Sequence, residues 1–243
     1  MSRYELIIFD CDGVLVDSEK IANEVFAKVL NEECGFSLSL DDMFQKFVGH
    51  SSSQCMTIIE NMLGEKPPAH LEQRYKEEIN QALSTSVVAV SGIEKTLNEL
   101  SIPYCVASSG SHEKMQTTLG KTNLLKYFGN RLHSTSDVAR GKPFPDVYLR
   151  AADQMGIKDR SMCLVIEDSP LGVKGGVNAG MTVFGYTELM SEKRLKEAGA
   201  HYTFDNMNEL VSEIQNYEKK LYNKFKNENA ASGTGAQRDA CPF

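Results

Sequence analysis

Along the chain, short apolar runs alternate with longer stretches of helical periodicity. Leu6-Ile7-Ile8-Phe9 ends on Asp10, Tyr104-Cys105-Val106-Ala107 on Ser108, and Cys163-Leu164-Val165-Ile166 on Glu167-Asp168. Thr182-Val183-Phe184 is a fourth run and Tyr202-Thr203-Phe204 a weaker fifth. Unbroken apolar runs of about four residues suit strands covered on both faces, as in a parallel sheet. The helical stretches between them supply the crossovers. The pattern predicts an α/β fold: a Rossmann-like parallel sheet core with helices on both sides.

Between Ser18 and Ser86 the rhythm breaks. Ile21, Val25, Val29 and Leu30 recur at helical spacing, as do Leu71, Tyr75, Ile79 and Leu83, and no strand is evident. This predicts an inserted α-helical domain, a four-helix bundle, over residues 17–87. The core then comprises residues 1–16 plus 88–227, with hinges near 14–17 and 84–91. Near the end, Met207, Leu210, Ile214, Tyr217, Leu221 and Phe225 line one stripe of an amphipathic helix over 206–226. Asn206 with Glu209 has capping-box spacing. The composition then turns small and polar, and a disordered tail is expected over 228–243.

Composition narrows the classes. The 243 residues include 41% hydrophobic and 24% charged, an ordinary globular balance for one to two domains. The net charge of −7, from 26 basic and 33 acidic residues, argues against a nucleic-acid partner. It leaves room for a small anionic substrate held by a few local cations. No apolar stretch approaches the roughly 18 residues of a membrane span, and Leu6–Phe9 is too short for a secretory leader, so a cytoplasmic location without membrane partners is expected. The six cysteines are scattered without a C-x-x-C pair, which points to neither a disulfide scaffold nor a zinc site.

Four short segments carry candidate chemistry. In Asp10-Cys11-Asp12-Gly13, two carboxylates follow a strand end, where open α/β sheets bind ligands. Paired carboxylates repel unless a cation sits between them, and hard oxygen donors suit Mg²⁺. A strand-end Asp can also attack phosphorus, with a second Asp moving protons. Ser108-Ser109-Gly110-Ser111 offers hydroxyls and flexible backbone at another strand end, ahead of a helix over 112–120. In Gly141-Lys142-Pro143-Phe144-Pro145, two prolines fix a backbone that can aim Lys142 into a cleft. Glu167-Asp168-Ser169-Pro170 again ends a strand in two acids. The helix after it holds Gly172, Gly175, Gly176 and Gly180, and each interior glycine costs about 1 kcal/mol against alanine, so close packing is expected there. Each segment alone is also readable as a turn or a helix cap. Together they supply a nucleophile, a metal pair, a hydroxyl and a cation at one sheet edge, which is what phosphoryl transfer needs.

The stretch from Phe9-Asp10-Cys11-Asp12-Gly13-Val14-Leu15-Val16-Asp17-Ser18-Glu19 resembles the first motif of the haloacid dehalogenase superfamily. Ser108, Lys142 and Glu167-Asp168 match its second, third and fourth motifs in order, and the resemblance covers Arg3 to about Tyr186. The helical insertion is similar to the cap this superfamily places after the first motif. Within it, the chain looks closest to β-phosphoglucomutase-like phosphatases. The stretch from Lys114-Met115-Gln116 to Tyr127-Phe128 is similar to bacterial 6-phosphogluconate phosphatases.

The resemblance implies roles. Asp10 would be the nucleophile and a Mg²⁺ ligand. Asp12 would be the general acid and base, with its backbone carbonyl on the metal, and Glu167 and Asp168 would complete the metal site. Ser108, with Ser109 beside it, and Lys142 would bind the transferring phosphoryl group. Gly13 and Val14 would offer it backbone N–H groups. His50, with residues 51–53, would form the cap's substrate-facing loop. Ala22 stands where a true β-phosphoglucomutase carries a cap histidine, and Ser52 where it carries a cap arginine; both count against a mutase. The expectation is a Mg²⁺-dependent phosphatase, monomeric or weakly dimeric, acting on a small phosphorylated metabolite such as 6-phosphogluconate. A sugar phosphomutase or a noncatalytic binding protein on the same fold are the alternatives.

Overall fold

A computed structural model describes residues 2–48, 50 and 52–231. Six parallel strands form the main sheet: β1 (Leu6–Phe9), β4 (Tyr104–Ser108), β5 (Leu132–Ser134), β6 (Cys163–Glu167), β7 (Thr182–Tyr186) and β8 (Tyr202–Phe204). Their spatial order is β5-β4-β1-β6-β7-β8. Register pairs Ile8 with Cys105 on one side and Val165 on the other. The chain steps outward from β1 through β4 to β5, then crosses back to β6 on β1's other flank. Ligand crevices form where an open sheet reverses in this way.

Both faces of the sheet are buried, which is why the strand runs are apolar throughout. Ile7, Phe9, Val106, Leu164, Ile166 and Phe184 face one cluster, and Leu6, Ile8, Cys105, Ala107, Val165 and Val183 face the other. The first cluster is closed by α5 (Ile93–Glu99), α6 (His112–Lys121), α7 (Leu125–Phe128) and α11 (Leu210–Ala231). The second is closed by α8 (Asp146–Gln154), α9 (Pro170–Asn178) and α10 (Glu192–Glu197). The expected α/β class with a Rossmann-like parallel sheet is what the chain forms.

The glycines of α9 are explained by contact. A Cβ at Gly176 would come within 2.7 Å of Val183, and one at Gly172 within 1.9 Å of the Glu167 carboxyl carbon. The helix lies so close to the sheet that only hydrogen fits at these two positions.

Residues 17–87 hold four helices, α1 (Glu19–Cys34), α2 (Leu40–Lys46), α3 (Ser52–Leu63) and α4 (Leu71–Ser86). They enclose their own cluster around Val29, Leu30, Met43, Phe47, Ile59 and Leu71. The segments entering and leaving this insertion are not loops. They pair antiparallel as β2 (Val16–Asp17) and β3 (Val88–Ala89).

Three expectations need correction. Strand β5 is not evident in the sequence, because Leu132-His133-Ser134 is short and half polar; position beside β4 makes it a strand. The terminal helix begins with a 3₁₀ turn over Met207–Glu209. Its capping box does not form: Asn206 Oδ1 accepts from the N–H of Asn208, and Asn206 Nδ2 donates to Glu209. The helix also runs to Ala231, so residues 228–231 do not belong to a tail; residues 232–243, the rest of the expected tail, lie outside the described residues.

Candidate active site

The ends of β1, β4 and β6 meet at one sheet edge, and the chemistry-bearing residues stand on them. Asp10 follows β1 directly, its N–H donating to the carbonyl of Ile166 (3.0 Å) in β6. Asp168 follows β6. Oxygens of Asp10, Glu167 and Asp168 lie within 4.8 Å of one another.

Lys142 arrives from the loop before α8, preceding a cis peptide to Pro143. Its ammonium donates to Asp10 Oδ1 (2.6 Å), to Glu167 Oε1 (2.6 Å) and to the carbonyl of Ala107 (3.0 Å). The lysine side chain is 4% exposed, so these contacts replace water entirely. Burial alone would discharge it, but Asp10 and Glu167 outweigh burial and hold the ammonium well above its ordinary range.

Glu167 is fully committed to protein donors. Oε1 accepts from Lys142 and from the Tyr148 hydroxyl (2.7 Å). Oε2 accepts from the N–H (3.1 Å) and the hydroxyl (2.9 Å) of Ser169. A carboxylate has about four lone-pair directions, and all four are taken.

Asp12 turns its carboxylate away from that group. Oδ1 accepts from the Ser18 hydroxyl (2.6 Å) and Oδ2 from the Lys114 ammonium (2.8 Å). Burial works against ionisation here, but Lys114 prevails and holds the carboxyl below its ordinary value. Asp10 behaves oppositely. Burial pushes it up to about 7 against the pull of Lys142, helped by the charges of Glu167 and Asp12. Asp168 is pushed well above the carboxylate range by burial, Glu167 and Asp10.

Gly13 sits at φ +76, and a Cβ there would fall 2.0 Å from Asp168 Oδ2. Both the left-handed backbone and the carboxylate's approach therefore demand glycine. The Ser108 hydroxyl is buried and accepts from the N–H of Gly110 (2.9 Å). Ser109 is exposed, and its carbonyl accepts from Thr135 (3.1 Å). His50 is exposed in the insertion. Ser52 and Ser53, expected in a loop beside it, instead open α3; position 51 lies outside the described residues.

The residues fit a hard divalent cation on the chemistry of the donor set. Three carboxylates converge, all donors are oxygen, and Lys142 alone cannot neutralise them.

Sequence reasoning missed Lys114, Ser18 and Tyr148 as parts of this site. For Lys114 a signal existed: Ser111 caps α6, which places a cation in the first turn, where the helix dipole disfavours it. Its reason lies 102 residues upstream at Asp12. Tyr148 sits on the apolar stripe of α8 with Val147 and Ala151 and reads as core; a buried hydroxyl needs a partner, and Glu167 is that partner.

A cavity of about 360 Å³ opens beside the site within the helical insertion. Ala22, His50 and Ser52 all line it.

Comparison with known proteins agrees with this architecture. The haloacid dehalogenase-like hydrolase family matches residues 7–186, and the chain belongs to it. It is 34% identical over 185 residues to the 6-phosphogluconate phosphatase of Escherichia coli (strain K12), covering 76% of this chain and 83% of that protein. A conserved haloacid dehalogenase-like protein of unknown function from Agrobacterium tumefaciens superposes with a TM-score of 0.81 at 32% identity, covering 88% of this chain and 99% of the other. A Thermotoga maritima protein provisionally assigned as a beta-phosphoglucomutase gives 0.70 at 26% identity, covering 87% and 99%. The expectation of a phosphoric monoester hydrolase holds: the family is one of hydrolases, and the Escherichia coli relative is a phosphatase. Among the described residues no helix is long and apolar enough to cross a membrane.

Proposed function

We propose that this hydrolase is a Mg²⁺-dependent phosphatase that cleaves a small phosphorylated metabolite of the sugar-phosphate class through an aspartyl-phosphate. The observation that carries the reading is the Lys142 ammonium, buried and bonded at 2.6 Å to Asp10 while Asp10, Glu167 and Asp168 converge beside it. The name of the Escherichia coli relative supports the substrate class and puts 6-phosphogluconate among the compounds to assay.

Asp10, Asp168 and the Asp12 carbonyl would hold Mg²⁺. Glu167 stands beside them but spends its oxygens on orienting Lys142. When bound, the metal supplies charge neutralisation for the carboxylates and the phosphoryl oxygens. An Asp10 oxygen attacks phosphorus, and the bond from phosphorus to the substrate oxygen breaks. Asp12, which Lys114 keeps ionised against burial in the free protein, takes up the proton that a phosphate monoester monoanion carries in and passes it to that oxygen, and the alcohol leaves. Asp12, again ionised, takes a proton from the water that cleaves the aspartyl-phosphate, and inorganic phosphate leaves. Its contact with Lys114 favours the ionised state of this second step. Ser108 holds the phosphoryl oxygens, with the backbone N–H of Ser109 nearby. Lys142, whose three N–H bonds go to Asp10, Glu167 and the Ala107 carbonyl, contributes its charge. The N–H of Gly13, expected at the phosphate, donates instead to the Val16 carbonyl (2.9 Å).

Residues 17–87 act as a cap over a core of 1–16 and 88–227, excluding water when substrate is bound. Ala22 and Ser52 on the cavity wall supply neither base nor cation for returning a phosphoryl group to a sugar, which favours hydrolysis over mutase activity. All the groups named come from one chain, so a monomer or weak dimer suffices. Phosphorylated metabolites do not cross membranes unaided, which supports a cytoplasmic setting.

Phosphate release from 6-phosphogluconate and p-nitrophenyl phosphate tests the proposal. Activity should vanish with EDTA, return with Mg²⁺ and be absent in Asp10→Asn. Full turnover without metal, or in Asp10→Asn, refutes it.

A further inference from the structure

The cavity within the helical insertion is joined to Asp12 through helix α1. Ser18, which donates to Asp12, starts α1, and Glu19 and Ala22 on the same helix line the cavity. An alcohol protonated by Asp12 therefore extends into this space. The cavity's walls are unusual for a polyhydroxylated anion. Phe26, Phe47, Met56 and Tyr75 form an apolar interior, with Phe26 set against Phe47 (ring centroids 5.4 Å) and Tyr75 (4.8 Å).

The charge on the lining is also unfavourable to an anionic tail. Glu19 and Glu72 face a single full cation, Lys76, and Lys76 stands one turn from Glu72 on α4. A carboxylate at the far end of the substrate would meet more negative than positive charge. A hydroxyl laid on the faces of Phe26, Phe47 and Met56 would lose water without gaining a partner there, while Asn23, His50 and Ser52 on the same wall offer partners to a few hydroxyls only. A flat uncharged ring reverses both effects, because ring faces stack on aromatic side chains regardless of sequence or charge. The polar needs of a connecting sugar are met at the wall, where the Tyr75 hydroxyl, Asn23 and Ser52 stand.

Resting on the phosphatase reading above, we infer that the preferred substrate is a sugar phosphate whose sugar carries an uncharged planar ring, housed among Phe26, Phe47, Met56 and Tyr75, rather than a sugar-acid phosphate. The test measures kcat/KM of the full chain with Mg²⁺ on uridine 5′-monophosphate, ribose 5-phosphate and 6-phosphogluconate, with p-nitrophenyl phosphate as a general phosphatase control. The expected result is uridine 5′-monophosphate about tenfold or more above ribose 5-phosphate, the gain that stacking one ring supplies, with 6-phosphogluconate below both. Ala22→Phe, which fills the cavity, should narrow the first ratio at least fivefold. Should that variant fold poorly, inhibition of the wild-type enzyme serves instead: uridine should compete with p-nitrophenyl phosphate at lower concentration than ribose or gluconate. Equal or better turnover of 6-phosphogluconate overturns the inference and leaves the phosphatase reading standing. So does turnover of p-nitrophenyl phosphate alone. Absence of turnover on every compound, p-nitrophenyl phosphate included, removes both.

Discussion

Gly172→Ala sets two effects against each other, and the structure decides between them. Helix propensity alone says the substitution stabilises α9 by about 1 kcal/mol, since Gly is that much worse than Ala in a helix. Yet the new methyl would lie 1.9 Å from the Glu167 carboxyl carbon, where ordinary contact begins near 3.4 Å. The carboxylate must move by roughly 1.5 Å, the difference of those distances. A free Glu side chain would swing aside cheaply. This one is fully buried and pinned by Lys142, Tyr148 and Ser169. Moving it breaks at least the Lys142 and Tyr148 bonds, each worth about 1.5–3 kcal/mol because the acceptor is charged. The loss of about 3–6 kcal/mol less the 1 gained leaves a net destabilisation of about 2–5 kcal/mol. For a chain of this length each kcal/mol moves the melting midpoint by about 2–4 °C, so Tm should fall by at least about 4 °C. Because Lys142 moves with its anchor, kcat/KM on p-nitrophenyl phosphate should drop by about tenfold to a hundredfold. Differential scanning calorimetry and steady-state kinetics read the two effects. A Tm equal to or above wild type with unchanged turnover would show that Glu167 is not pinned and that the glycine is incidental.

Three further outcomes are expected. Gly13→Ala forces a left-handed φ on alanine and drives a methyl into Asp168, so the Mg²⁺ concentration for half-maximal activity should rise at least tenfold; an unchanged metal titration would remove Asp168 from the metal site. Lys114→Met leaves the Asp12 carboxylate with Ser18 as its one remaining side-chain donor and should cost about 1–3 kcal/mol, discounted for partial exposure and read from urea midpoints; an unshifted midpoint would make the 2.8 Å pair a surface contact of no weight. His50→Ala, altering an exposed group on the cavity wall, should change the ranking of substrates by severalfold while the Mg²⁺ requirement stays put; an identical substrate profile would place selectivity elsewhere.

Much of this molecule is readable from local pattern, and the parts that are not share one cause. The strands β1, β4, β6 and β7 announce themselves because burial on both faces forces continuous apolar runs, and the insertion announces itself because its periodicity changes. The polar residues that end β1, β4 and β6 are conspicuous for the same reason: they interrupt a pattern. Strand β5 escapes because a strand on the sheet's edge needs only a neighbour, not a distinctive composition.

The amino-acid order by itself therefore determined which segments become the sheet, where the helices are inserted and which acids, serine and lysine stand at strand ends. Tertiary structure alone decided how those groups divide their work. Lys114 is an ordinary helix lysine until folding sets it on Asp12, and Glu167 looks equivalent to Asp168 until Tyr148, Lys142 and Ser169 consume its oxygens. The reason is physical: periodicity reports burial, which each residue experiences locally, whereas the meaning of a charge depends on the partner that the chain's path brings to it from a hundred residues away.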